Sequence, residues 1–213
     1  DVKKDINAKG LFFTRPSIAH YTVKREELVE SAKKVFDAVL SKKFNAKHII
    51  RITADCPLVD PALIKSMYKM YKNEKCDYLS NILPPSFPDG YDVEIFNKKT
   101  LVEANTKAKK KSDREHVTPY IYRLINNKKL PEKKVLKIVS HDLKYRHLRL
   151  TIDKKIDLDV VRKVYYLLNK EKLKINFKNI IYIFKKNKKI YSKNMKEIRD
   201  EGYKISVLND KKK

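Results

Sequence analysis

Two segments of this 213-residue chain repeat one local pattern: Ile50-Arg51-Ile52-Thr53-Ala54-Asp55 and Leu148-Arg149-Leu150-Thr151-Ile152-Asp153 each run an apolar stretch into an aspartate, and a helix follows. A short apolar run flanked by helical patterns belongs in the interior of a sheet with helices on its faces. The flanks of the first copy supply those helices. Before it, Leu28, Val29, Ala32, Val35, Phe36, Val39 and Leu40 fall at helical spacing and predict an amphipathic helix over 26–43. His48 to Thr53 then reads as a strand. After it, Asp60-Pro61 opens another helix, with Asp60 as the N-cap, Pro61 at the first helical position, and Leu63, Ile64, Met67, Tyr68 and Tyr71 on one face. Helix, strand, helix is α/β architecture.

The rest of the chain extends the pattern. Strands are expected at 77–81, 93–96, 135–140 and 147–152, and helices near 99–109, 115–126, 157–169, 178–186 and 194–200. Between the first two of these strands, Leu83-Pro84-Pro85-Ser86-Phe87-Pro88-Asp89-Gly90 is too rich in proline to be regular structure and predicts an ordered loop.

Composition removes several classes of function. There are three glycines, Gly10, Gly90 and Gly202, standing far apart, so no complete glycine-rich phosphate loop exists within the chain. Cys56 and Cys76, the two cysteines, make neither a disulfide framework nor a zinc site, and suit a reducing cytoplasm. No apolar run is long enough for a transmembrane helix, and no signal-peptide pattern opens the chain. The formal charge of +25 points first to nucleic acid, but nine of the 51 basic residues are Arg and the Lys are scattered over every predicted element. Unclustered Lys of this kind is a solvated surface rather than a phosphate-tracking stripe.

Asp55 and Asp153, 98 positions apart, carry the chemistry that the pattern allows. Ligands of open α/β sheets sit beyond the carboxyl ends of the strands, where two strand-end carboxylates meet if their strands are neighbours. Mg²⁺ is held by one or two carboxylates together with substrate phosphates and water. The competing reading is that each aspartate caps its following helix. For Asp153 that alternative gains weight, because Lys154-Lys155-Ile156-Asp157 offers no other cap. Cys56 reads as a structural thiol, since no His is placed to activate it.

A longer series of motifs resembles a known family. Arg51 to Pro61, Ser80-Asn81-Ile82-Leu83-Pro84-Pro85, Phe87 to Phe96, Arg114-Glu115-His116-Val117-Thr118-Pro119-Tyr120-Ile121, His147 to Asp153, and Ile198 to Ser206 are similar, in order, to segments of the cytidylyltransferases of spore coat polysaccharide biosynthesis. These are relatives of the acylneuraminate and 3-deoxy-manno-octulosonate cytidylyltransferases. The resemblance implies a three-layer, Rossmann-like nucleotide-diphospho-sugar transferase fold with a mainly parallel sheet. It implies transfer of CMP from CTP to a sugar, acidic or related, with release of pyrophosphate for surface polysaccharide or glycan synthesis. Mg²⁺ as cofactor, a cytoplasmic location and a homodimer are implied with it. Asp55 and Asp153 then correspond to the metal-binding, catalytic aspartates. Arg51, Asn81, Asp89, Gly90, Asp92, Glu94, Arg114, Glu115 and His116 are the corresponding substrate-binding candidates, the last three at the opening of a helix whose N-terminus favours anions.

The family also opens with a strand and a loop of the type Q-A-R-x-x-S-x-R-L-P-G-K around the triphosphate, which residues 1–34 do not carry. The expectation is an atypical segment over 1–34, a cytidylyltransferase-like domain over 35–213 that is incomplete at its amino end, and weak or absent CTP binding by this chain alone. A non-catalytic relative serving as a sugar-binding or dimerisation partner, and a basic nucleic-acid-binding module, are the alternatives.

Overall fold

The computed structural model describes residues 12–14, 46–126, 135–137 and 143–211. The helix expected over 26–43 lies outside them. Five strands form one sheet in the order β1 (Phe12–Thr14), β2 (His48–Thr53), β4 (Glu94–Asn97), β3 (Tyr78–Ser80), β5 (Val135–Lys137). Among the described strands β1, β2, β3 and β5 all run the same way, as a mainly parallel sheet has them, and β4 is the exception, antiparallel to both β2 and β3. The reason lies in the connections. A parallel return needs a crossover, usually helical, and β2 reaches β3 through the helix α1 (Pro61–Glu74). The proline-rich loop after β3 supplies no helix, so the chain turns back and inserts β4 between them.

α1 forms as its sequence dictates. Asp60 accepts from the Ala62 N–H at 2.8 Å, Pro61 occupies the first turn, and the helix stops at Lys75 in the left-handed region, φ 47°. Its face of Ile64, Met67 and Tyr71 packs with Ile52, Leu79, Val93 and Ile95 on one side of the sheet. On the other side Ile49, Tyr78 and Phe96 meet Leu101 and Ala104 of α2 (Lys98–Lys107) and Ile121 of α4 (Pro119–Asn126). Adjacent strand residues therefore feed opposite layers, the three-layer α/β arrangement that the family resemblance implies. Each such fully buried aliphatic or aromatic side chain contributes roughly 1.5–3 kcal/mol. A third cluster joins Leu148, Leu150 and Ile152 to α5 (Lys155–Lys170), α6 (Phe177–Lys186) and α7 (Lys188–Tyr191).

Three other expectations change. The helix predicted over 115–126 is two: α3 (Lys111–His116) and α4, parted by Val117 at φ 73°, ψ −51° and by a bond from the Thr118 N–H to the His116 carbonyl at 2.8 Å. That γ-turn follows from Pro119, which steers Thr118 away from helical backbone. No helix forms over 194–200; the helix comes later, as α8 (Glu201–Lys211). Residues 147–152 join none of the described strands of the sheet, and among the described residues a bridge links Asp89 and Arg149. Among the described residues no helix is long and apolar enough to cross a membrane.

Candidate active site

The ends of the two repeated segments meet. The Ile152 N–H donates to the Asp55 carbonyl at 2.9 Å, which brings the strand-end aspartates Asp55 and Asp153 to adjoining positions. Neither is a helix cap. Asp60 caps α1, and the start of α5 is capped by Asp157, whose Oδ2 accepts from the backbone N–H groups of Lys154 at 2.9 Å and Asp153 at 3.1 Å. The capping reading of Asp153 is thereby corrected: the first turn of α5 caps itself from within.

The loop expected on the sugar side docks onto the same segment. The Asp89 N–H donates to Leu148 at 2.9 Å and the Leu150 N–H to the Asp89 carbonyl at 2.7 Å. Gly90, at φ 99°, makes this possible: a Cβ there would stand 2.6 Å from the Leu150 and Thr151 backbone. Its role here is close backbone approach.

Two arginines tie the loop ends together. Arg149, buried, donates to Asp89 at 2.7 Å, to Asp153 at 2.5 Å and to both oxygens of Asp157 at 2.9 and 3.1 Å. Arg199 donates to the Phe87 carbonyl at 2.9 Å and to Asp92 at 2.6 Å. Burial pushes the carboxyl of Asp92 up to about 8, against the pull of Arg199, and that of Asp89 to about 6, against Arg199 and Arg149. Asp157 goes the other way: burial opposes its charge, but the bonds from Arg149 and Asn194 outweigh it and hold its carboxyl below the usual range. Cys56 stands beside this acidic group. Burial first, then the fields of Asp55, Asp92 and Asp89, push its thiol up, which accords with a structural rather than a reactive cysteine.

The remaining candidates fall in two places. Glu94 is buried within the sheet and accepts from Arg51 at 2.5 Å, Tyr78 at 2.6 Å and Thr118 at 3.2 Å, so Arg51 and Glu94 form an internal pair across β2 and β4. Asn81 is also buried and bridges the Tyr91 carbonyl at 2.7 Å and the Val93 N–H at 2.8 Å, continuing the β3–β4 pairing with its side chain. Arg114, Glu115 and His116 close α3 rather than opening a helix. Arg114 holds Asn105, Glu115 accepts from Ser206 at 2.9 Å, and His116 lies 3.2 Å from Ser206 and edge-on to Tyr203. These three residues dock α8 and α2.

Residue-by-residue reading missed Arg149, Asp157 and Arg199. The four- and eight-residue spacing from Arg149 to Asp153 and Asp157 was a signal for the first two; nothing local announces a bond from Arg199 to a loop 107 positions away.

Comparison with known proteins assigns the chain to a family. The profile of the cytidylyltransferase family matches residues 18–200. An uncharacterised protein of Methanocaldococcus jannaschii is 34% identical over 167 residues, covering 76% of this chain and 63% of that protein. A solved structure of a cytidylyltransferase from Leptospira borgpetersenii superposes with a TM-score of 0.61 at 28% identity, covering 75% of this chain and 64% of that one. The chain thus spans just under two thirds of the length of both. With the match running through both strand-end aspartates, the loop between β3 and β4 and the segment carrying Arg199, the chain belongs to the cytidylyltransferase family.

Proposed function

We propose that the protein is part or all of an enzyme that transfers CMP from CTP to a sugar hydroxyl. The hydroxyl oxygen attacks the α-phosphorus, the bond to the β-phosphate breaks, pyrophosphate leaves, and the hydroxyl proton passes to solvent. The observation that supports this reading is the junction of Asp55 and Asp153, two carboxylates freed of capping duty at adjoining ends of a family-matched α/β scaffold. A nucleotidyl transfer needs little covalent chemistry from the protein and much positioning and charge stabilisation.

Mg²⁺ fits the donors. No group of three or more His, Cys, Asp or Glu side chains is arranged to hold a metal among the described residues, but two hard carboxylate oxygens suffice when phosphates and water complete the shell. Asp55 and Asp153 would hold the ion, which when bound neutralises triphosphate charge. Arg149 limits what Asp153 contributes, since it already engages Oδ2. Sugar hydroxyls would meet the loop of Pro88 to Asp92. CTP, a sugar and a second copy of the chain are the partners in this reading, in a cytoplasmic setting suited to two cysteines that are not joined by a disulfide.

The test is pyrophosphate release by the purified protein with CTP, Mg²⁺ and a panel of sugars. Asp55→Asn is expected to lower the rate about a hundredfold or more, as loss of a charge-stabilising group does, with the melting temperature little changed. Undiminished release by that variant would remove Asp55 from the reaction. Sugar binding without release by the unaltered chain would favour the non-catalytic role.

A further inference from the structure

Of the polar groups in the sugar-side loop and its flanking strands, most are consumed by the fold. Asn81 and Glu94 are buried and spend their bonds on backbone, Arg51, Tyr78 and Thr118. Asp89 is buried against Arg149. Asp92 differs. Its side chain keeps 24% of its surface exposed, Oδ1 is bonded to Arg199, and Oδ2 has no hydrogen bond from the described residues. It is a carboxyl gripped on one oxygen with the other left over.

The grip comes from elsewhere in the chain. Arg199 reaches the loop from the segment between α7 and α8, which is itself fastened beside the α5 cap: Asn194 donates to the Arg149 carbonyl at 3.2 Å and to Asp157 at 2.8 Å, and Lys154 pairs with Glu197 and Glu201. One guanidinium nitrogen holds the Phe87 carbonyl and the other holds Asp92, so the fork spans the second half of the loop from Phe87 to Asp92. Two divergent bonds from one planar group are what Arg supplies and Lys does not.

We propose that Arg199 is a positioning residue for the acceptor sugar, fixing Asp92 so that its second oxygen meets a hydroxyl of the incoming polyol. This rests on the transfer reading above. It separates the two substrates: the triphosphate lies with Asp55 and Asp153, the acceptor with Asp92.

The experiment is steady-state kinetics of Arg199→Lys and Asp92→Asn, with CTP and acceptor varied in turn, beside hydrogen exchange of the unliganded chain. The expected result is an acceptor KM raised about tenfold or more in Arg199→Lys, with the CTP KM within about twofold. Amide exchange over 87–92 is expected to quicken by a similar factor while that over 148–152 stays as in the unaltered protein. Parallel shifts of both KM values, or no shift in either, would overturn the assignment. If the unaltered protein releases no pyrophosphate with any sugar, the transfer reading fails by itself. The exchange measurement then decides the clamp: unchanged protection over 87–92 in Arg199→Lys overturns it.

Discussion

The segments ending in Asp55 and Asp153 share a sequence pattern and diverge in structure. The first is a true strand, paired with β1 on one side and β4 on the other. The second pairs with no regular strand among the described residues; it is held there by two backbone bonds to Asp89, one to Asp55, a bond from Asn194, and the bonds of its own Arg149. A strand inside a sheet is specified by its neighbours' backbones, so its side chains are free to fill two cores. A strand outside a sheet needs side chains to do the work of neighbours, and here a buried arginine among three carboxylates does it. The two aspartates end at adjoining positions by different physical means.

That contrast can be broken most forcefully at Arg149. Arg149→Met leaves Asp157 and Asp89 buried without their cation, and removal of one partner from a buried ionic group costs about 3–5 kcal/mol. Denaturant unfolding is the measure, and a loss under about 1 kcal/mol would mean that the extended segment does not depend on its arginine. Gly90→Ala comes next. The positive φ alone costs about 1–3 kcal/mol, and the close Leu150 and Thr151 backbone adds to it; a neutral substitution would show that the loop does not dock as described. On the sheet side the effects are smaller. Thr118→Val removes a donor to Glu94 and is expected to cost about 1 kcal/mol.

The smallest effect is in pH. Asp92, held up near 8 in the folded protein against 3.8 ordinarily, keeps its proton after the unfolded chain has lost it. Its contribution to stability is therefore present in full below about 4 and is lost as pH rises toward 8. Asp89 acts in the same sense up to about 6, while Asp157, held low, contributes above the usual carboxylate range and loses its contribution in acid. Melting temperature against pH should fall less steeply between pH 5 and pH 8, as roughly set by these shifts, in Asp92→Asn than in the unaltered chain. Identical slopes would exclude Asp92 from the balance.

The same contrast explains what was legible in the sequence. β2, α1 with its Asp60 cap and Pro61, and the irregular loop could be read because local chemistry decides them. The meeting of Asp55 with Asp153 was legible as a conditional, from the rule that ligands gather at strand ends. The direction of β4 was not, because Val93 to Phe96 carries the same alternation whichever way it runs. The break at Val117 had a local sign in Thr118-Pro119 that the helical periodicity around it overrode. Glu115 and His116, polar and adjacent at an expected helix start, suggested a ligand, but Ser206 and Tyr203 of α8 are their partners. The bonds from Arg149 to Asp89 and from Arg199 to Asp92 cross 60 and 107 positions, which no local pattern encodes.

The carboxylate of Asp60 reaches further than its own helix. One oxygen caps α1 at Ala62; the other accepts from the N–H of Phe177, the first residue of α6, at 2.9 Å and 117 positions away. In terms of chain connectivity it is a non-covalent knot tied behind the site. It joins the start of the helix that follows Asp55 to the start of a helix packed on α5, which follows Asp153. The helices that follow the two aspartates are thus coupled through one carboxylate that belongs to neither strand-end pair.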